Sequence, residues 1–200
     1  LYQCHRFDPD VPLLETAMAM HDLIQRGLTL YWGTSQWPAE RIAEVVALCD
    51  ARGLHRPVSN QPLYNLFERG IETAIVPTSR RHGIGQLVYS PLAQGVLTGK
   101  YRPGEAPPAD SRAADQRGAR FVDRYRTEER LTQAQALVAL AAKHGRSATE
   151  FALAFCLRDD AVASVLVGAR DERQLLQNLD AAATELPAQS LAELERLFPV

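Results

Sequence analysis

The chain has 200 residues, 46% hydrophobic and 23% charged, enough for one sizeable core or two small ones, with the composition of an ordinary globular protein. Its formal net charge of −2 gives no basic footprint for nucleic acid, no apolar run approaches the ~20 residues that span a bilayer, and no signal-peptide pattern opens the chain. Cys4, Cys49 and Cys156 are odd in number and lack the paired spacing of zinc or redox sites, so they read as free thiols of a reducing cytoplasm, with no metal centre.

Strand and helix patterns alternate along the chain. "LYQCHRF" (residues 1–7) reads as a strand, followed by a helix over 11–27 that Asp10 caps and Gly27 closes. "LTLYWGT" (28–34) is the second strand. The next helix, 38–53, carries Ile42, Val45, Val46 and Cys49 on one face, with Pro38 in its first turn and Gly53 at its end. A short strand around "PVSNQ" comes third, and then a helix over 71–82 that Pro77 forces to bend or start late. "GQLVYSP" (85–91) is the fourth strand. Residues 99–126, rich in Pro, Gly, Arg and Asp, have no apolar period and read as a long loop, either functional or disordered. Helices at 132–145 and 147–159, a fifth strand "AVASVLVGA" and helices at 171–182 and 190–198 complete the chain.

Such alternation implies parallel βαβ units, in either an open doubly wound sheet or a (β/α)8 barrel. No strand is followed by G-x-G-x-x-G, which weighs against the first, while five strands fall short of the eight a barrel needs. Polar residues cluster at strand ends: His5, then Ser35 and Gln36, then Asn60 and Gln61, then Tyr89 and Ser90, then Gly168, Ala169 and Arg170. A histidine in a strand is by itself more often packing than chemistry. Five polar strand ends in succession, however, converge on the binding face of a parallel βα protein.

"WGTSQW", "NQPLYNLFER", "YSPLAQGVLTGKY" and "VGARDERQLLQN", in this order and spacing, resemble the aldo/keto reductase superfamily, in the branch of potassium-channel β-subunits and bacterial general-stress reductases. The resemblance runs through essentially all 200 residues. It implies an α/β fold, a (β/α)8 TIM barrel present as its C-terminal part, about five of eight βα units. Residues 1–200 then form one N-terminally truncated domain whose strands at 1–7 and 162–167 are open edges.

The same resemblance implies NADPH as cofactor and reduction of a small-molecule aldehyde or ketone. Ser35, Gln36 and Gln61 match the family's ligands for the nicotinamide carboxamide, and Tyr89 its stacking aromatic. Ser90, Pro91, Leu92, Gln94 and Lys100 match the pyrophosphate loop, with backbone N–H groups, a flexible Gly95 and a cation. Arg112 matches a phosphate contact on the long polar segment. Gly168 and Arg170 lie at a helix N-terminus suited to an anion, and Gln174, Gln177 and Asn178 share the helix face toward the adenosine. Many relatives carry a basic residue at Gln174, a role that Arg170 or Arg173 would take here toward the 2′-phosphate. His5 matches the active-site histidine, where channel β-subunits carry Asn. The family's other catalytic residues, an Asp, a proton-donating Tyr and a Lys, precede this point, and no residue of this chain matches them. The alternatives are a non-catalytic NADPH-binding regulatory subunit and an inactive truncated product. A homo-oligomer is compatible with either.

Overall fold

The computed structural model describes residues 1–200. Its contacts divide the chain into two compact units: Leu1–Leu63 with Gly70–Tyr89 and Asp160–Ser164, and Tyr64–Arg69 with Ser90–Asp159 and Val165–Val200.

The first unit is built on strands β1 (Tyr2–Cys4), β2 (Trp32–Thr34), β3 (Ser59–Asn60) and β4 (Gly85–Tyr89). Helices α1 (Leu13–Gln25), α2 (Ala39–Arg52) and α3 (Ile75–His82) connect them. Strand β5 (Val162–Leu166) is shared between the units, and Gln86 N–H reaches the Ala161 carbonyl at 2.8 Å. The strand order is sequential, β1 to β5, and the pairs β1–β2, β2–β3 and β3–β4 are parallel. Doubly wound sheets reverse their order at a switch point. Here the three crossovers of the first unit all step the same way, so right-handed connections put α1, α2 and α3 on one face of the sheet. That is the winding of a (β/α)8 barrel, of which these are five strands.

The elements follow from local chemistry. In α2, Ile42, Val45, Val46 and Cys49 are buried as their spacing predicts, and they meet Ala17, Met20, Trp32, Trp37 and Ile84 in one core. Gly53 ends α2 at φ 64°, and Leu54 N–H then returns to the Cys49 carbonyl at 2.9 Å. Pro77 sits in the first turn of α3, where its missing N–H costs nothing, so the helix starts late. Two readings need correction. Asp10 does not cap α1: Pro12 holds that position without a side-chain bond, and Asp10 instead donates its N–H to Asp8 at 3.0 Å. Strand β1 is also shorter than residues 1–7.

A row of buried side chains crosses the sheet. Thr34 Oγ1 donates to Asn60 Oδ1 (3.0 Å) and Asn60 Nδ2 to Gln86 Oε1 (3.1 Å), three residues that are aligned in register. In the adjacent row Ser59 Oγ donates to Gln3 Oε1 at 3.1 Å, across Gly33. A Cβ on Gly33 would lie 2.7 Å from the Ser59 carbonyl oxygen and closer still to both side-chain partners.

The second unit packs α5 (Glu128–Lys143), α6 (Ala148–Leu157) and α8 (Ala188–Leu197) around Leu137, Phe151, Phe155 and Phe198, while α7 (Glu172–Asp180), which buries no residue, lies against α6. The long polar segment is not wholly loop. It contains α4 (Gln116–Asp123), capped by Asp115, which sequence periodicity misses because only Gly118 and Val122 are buried. Arg69, buried, is matched by Glu195 (2.6 and 3.0 Å) and the Phe198 carbonyl (2.7 Å), which ties α8 to the Tyr64–Arg69 segment. At the start of α6, Ser147 Oγ accepts from Glu150 N–H (3.2 Å), and Glu150 accepts from Ser147 N–H (2.8 Å). Burial alone would raise the Glu150 carboxyl. Hydrogen bonds from Ser147 and from the Arg146 guanidinium outweigh it and hold the group below the usual carboxylate range.

Gly33→Ala should destabilise the protein by about 1–3 kcal/mol, by crowding β2 and parting Gln3 from Ser59; an unchanged urea midpoint would contradict the packing described. Ser147→Ala should cost about 1 kcal/mol at neutral pH. Because the Glu150 pKa is depressed in the fold, its contribution is present above the unfolded value and fades as pH falls through the folded one. The gap between wild type and S147A in urea unfolding should therefore narrow below about pH 4.

Candidate functional site

The sequence-predicted residues fall into one cluster in each unit. In the first, β2 ends at Thr34 and delivers Ser35 and Gln36. Ser35 Oγ donates to the Gln61 carbonyl (2.8 Å) and accepts from Arg6 Nη1 (3.2 Å), so its one proton is committed. Gln36 has φ 58°, a left-handed conformation that side-chain-bearing residues rarely take. Its amide is engaged at both ends: Nε2 donates to the Tyr89 hydroxyl (3.1 Å) and Oε1 accepts from Leu63 N–H (3.0 Å). Gln61 makes main-chain bonds to Gln36 N–H and the Thr34 carbonyl, while its side-chain amide makes none. Tyr89, half-buried, ends β4. His5 follows β1 with its imidazole exposed. Asn60 is the last residue of β3, as the strand-end reading has it, but its side chain is turned into the buried row and donates to Gln86.

In the second unit a cavity of about 350 Å³ gathers Ser90, Pro91, Leu92, Gln94, Lys100 and Arg112 with Gly168, Arg170 and Gln174; Gly95, Thr98, Leu166, Val167 and Ala169 complete its wall. Three cations line it and no carboxylate does. Ser90, Ala93 and Gln94 all have positive φ (54°, 47° and 59°), and such strain gathers at functional turns. Asn65, fully buried, fixes this turn: its Nδ2 donates to the Ser90 carbonyl at 3.0 Å while its Oδ1 takes the N–H groups of Phe67 and Glu68. Gln94 Nε2 donates to Ser90 Oγ (2.7 Å), and Arg112 donates to Gln94 Oε1. Lys100 lies over Gly95, where a side chain would meet its Cε at 3.0 Å.

A family model for aldo/keto reductases matches residues 1–198. The chain belongs to the aldo/keto reductase family. Two relatives are each described as a probable voltage-gated potassium channel subunit beta. One, from Oryza sativa subsp. japonica, is 38% identical over 179 residues. The other, from Arabidopsis thaliana, is 40% identical over 179 residues. In both cases the match covers 89% of this chain and 54% of the relative, so the chain spans about half the length of the curated relatives it matches.

Not every residue expected at an aldo/keto reductase cofactor site sits on the cavity. On α7, Gln174 lines it, but Gln177 faces a separate shallow depression with Glu172, Arg173, Leu176 and Asp180, and Asn178 donates to the Gly168 carbonyl at 3.5 Å. The anion-binding character expected of the α7 N-terminus is partly spent, because Asp171 caps the Gln174 N–H at 2.8 Å and Gln174 Oε1 accepts from Arg170 N–H. The 90–100 turn likewise uses the N–H groups of Ala93, Gly95, Leu97 and Gly99 internally. Sequence reasoning missed Asn65 and Arg6. The first is readable as an Asx turn in "YNLFE"; the second has no signal beyond its place after His5.

Tyr125, Cys49 and Cys4, whose pKa values are also shifted, are not tuned for catalysis near neutrality. Burial pushes up the Tyr125 phenol, despite hydrogen bonds from Asn65 and Arg124, which is the wrong direction for a proton donor near neutrality. Burial, with Asp50 beside it, pushes the Cys49 thiol up to about 11, and burial also raises Cys4, so neither is a thiolate nucleophile. No helix is long and apolar enough to cross a membrane.

Arg112→Gln, which removes a cation and leaves Gln94 without its partner, should weaken binding of inorganic pyrophosphate about tenfold by calorimetry, the scale of a charge-assisted bond. Equal affinity in wild type and variant would show that the cavity does not recognise this anion.

Proposed function

We propose that the chain carries the cofactor-binding part of an NADPH-dependent carbonyl reductase. The observation that carries this reading is the second unit's cavity, with Lys100, Arg112 and Arg170 on its wall and no lining carboxylate. A nucleotide with several phosphates is the chemistry such a wall selects. When bound, NADPH supplies the hydride for reduction of an aldehyde or ketone. Within the second unit, Lys100 and Arg112 hold the pyrophosphate from the Gln94–Gly95 turn, and Gln174 with Gly168 borders the adenosine.

The first unit's residues are assigned the nicotinamide. Because the Ser35 proton is held by the Gln61 carbonyl, Ser35 accepts from the carboxamide rather than donating to it. The unbonded Gln61 amide donates and accepts. Gln36, committed at both ends, acts through Tyr89, whose ring it fixes by the hydroxyl so that one face of the nicotinamide is covered. His5 donates a hydrogen bond to the carbonyl oxygen of the substrate, which orients and polarises it.

Titration of the purified chain with NADPH should give saturable quenching of its tryptophan fluorescence, weakened by Arg112→Gln. Absence of saturable binding would remove the reading. Of the family's four catalytic positions these 200 residues match only His5, so the same preparation should show no measurable NADPH-dependent reduction of nitrobenzaldehyde.

A further inference from the structure

The three cations of the cavity are not held alike. Lys100 lies over Gly95 with its ammonium 5.2 Å from the centre of the Tyr101 ring, and Arg112 donates to the neutral amide of Gln94. These two therefore meet on adjacent residues of one turn and form a pair suited to a diphosphate. Arg170 stands on the β5–α7 loop, and its partner is an acid. Its Nη1 donates to the main-chain carbonyl of Asp110, and its Nη2 lies 3.3 Å from the Asp110 carboxylate. Gln174 Oε1 fixes the Arg170 main chain (3.1 Å), and Asp171 closes the start of α7 behind it. Arg173, the next cation along, borders the separate depression with Glu172 and Asp180.

Both members of the Arg170–Asp110 pair are largely exposed (58% and 78%), so the bond is weak and readily exchanged. A phosphate monoester offers nearly two charges and three acceptor oxygens to one guanidinium, against the single charge of a carboxylate. NADPH carries such a monoester on its adenosine ribose and NADH does not, whereas the pyrophosphate is common to both. Building on the NADPH reading above, we propose that Asp110 limits how strongly NADPH is preferred over NADH. It occupies Arg170 as an internal competitor, so that only a ligand with the additional phosphate takes the guanidinium from it, at a cost in affinity that Asp110 determines. The long polar segment thereby acts as a specificity element as well as a wall.

Asp110→Asn removes the charge and keeps the residue-110 carbonyl that Arg170 also uses. Wild type, D110N, R170Q and the double variant are titrated with NADPH and with NADH, and their thermal midpoints are compared to confirm folding. D110N should tighten NADPH about two- to fivefold, the scale of an exposed ion pair, and leave NADH unchanged. R170Q should weaken NADPH and make the Asp110 substitution silent. An equal shift for both nucleotides, no tightening of NADPH, or a D110N effect that persists without Arg170 would overturn the proposal while leaving the cofactor reading intact. If neither nucleotide binds any of the four proteins, the cofactor reading fails and the competition fails with it.

Discussion

Thr34, Asn60 and Gln86 are joined side chain to side chain across three strands, with Ser59 and Gln3 joined in the row beside them, all in a sheet whose strands are two to five residues long. Strands this short hold few main-chain bonds to fix their alignment. A slip of one residue would turn each of these side chains to the opposite face and leave buried amides without partners. The row therefore fixes register, and register fixes where each strand ends. Ser35, Gln61 and Tyr89 emerge where they do because Thr34, Asn60 and Gln86 are locked level with one another. Gly33 belongs to the same device, since the Gln3–Ser59 bond passes through the space a side chain would fill.

Beyond the strand ends, backbone conformation does the placing. The non-glycine residues with positive φ are Gln36, Ser90, Ala93 and Gln94, and all belong to the candidate site or to the turn between its members. Three of the four are held by side-chain hydrogen bonds: Gln36 by Leu63 and Tyr89, Ser90 by Asn65, Gln94 by Ser90 and Arg112. Strain of this kind persists only when hydrogen bonds on several sides enforce it. What results is a set of polar side chains presented before any ligand arrives.

Much of this was legible in the sequence, for identifiable reasons. Helix α2 announced itself through the spacing of Ile42, Val45, Val46 and Cys49 and through Gly53. The alternation of elements gave parallel winding, and "YSPLAQGVLTGKY" gave the turn that holds Ser90, Gln94 and Lys100. What escaped was set by tertiary context. Helix α4 buries too little for a periodic signal, and the Asp10 cap failed because Pro12 starts α1 later. The commitment of Gln36 to Tyr89 joins residues 53 positions apart, and the pairing of Arg170 with Asp110 joins residues 60 apart. No local pattern encodes either. Gln177 and Asn178 show the converse: a shared helix face was readable, but which of its residues reaches the cavity depended on where α7 packs.

The chain belongs to the aldo/keto reductase family, and its cation-lined cavity is proposed to take a phosphorylated nucleotide. Amide hydrogen exchange of the 200-residue chain, with and without saturating NADPH, tests that account most directly. It predicts slowed exchange in residues 90–100, in 110–118 and in 166–174, the segments that carry Gln94, Lys100, Arg112 and Arg170. Unchanged exchange in all three, or protection confined to segments remote from them, would contradict it.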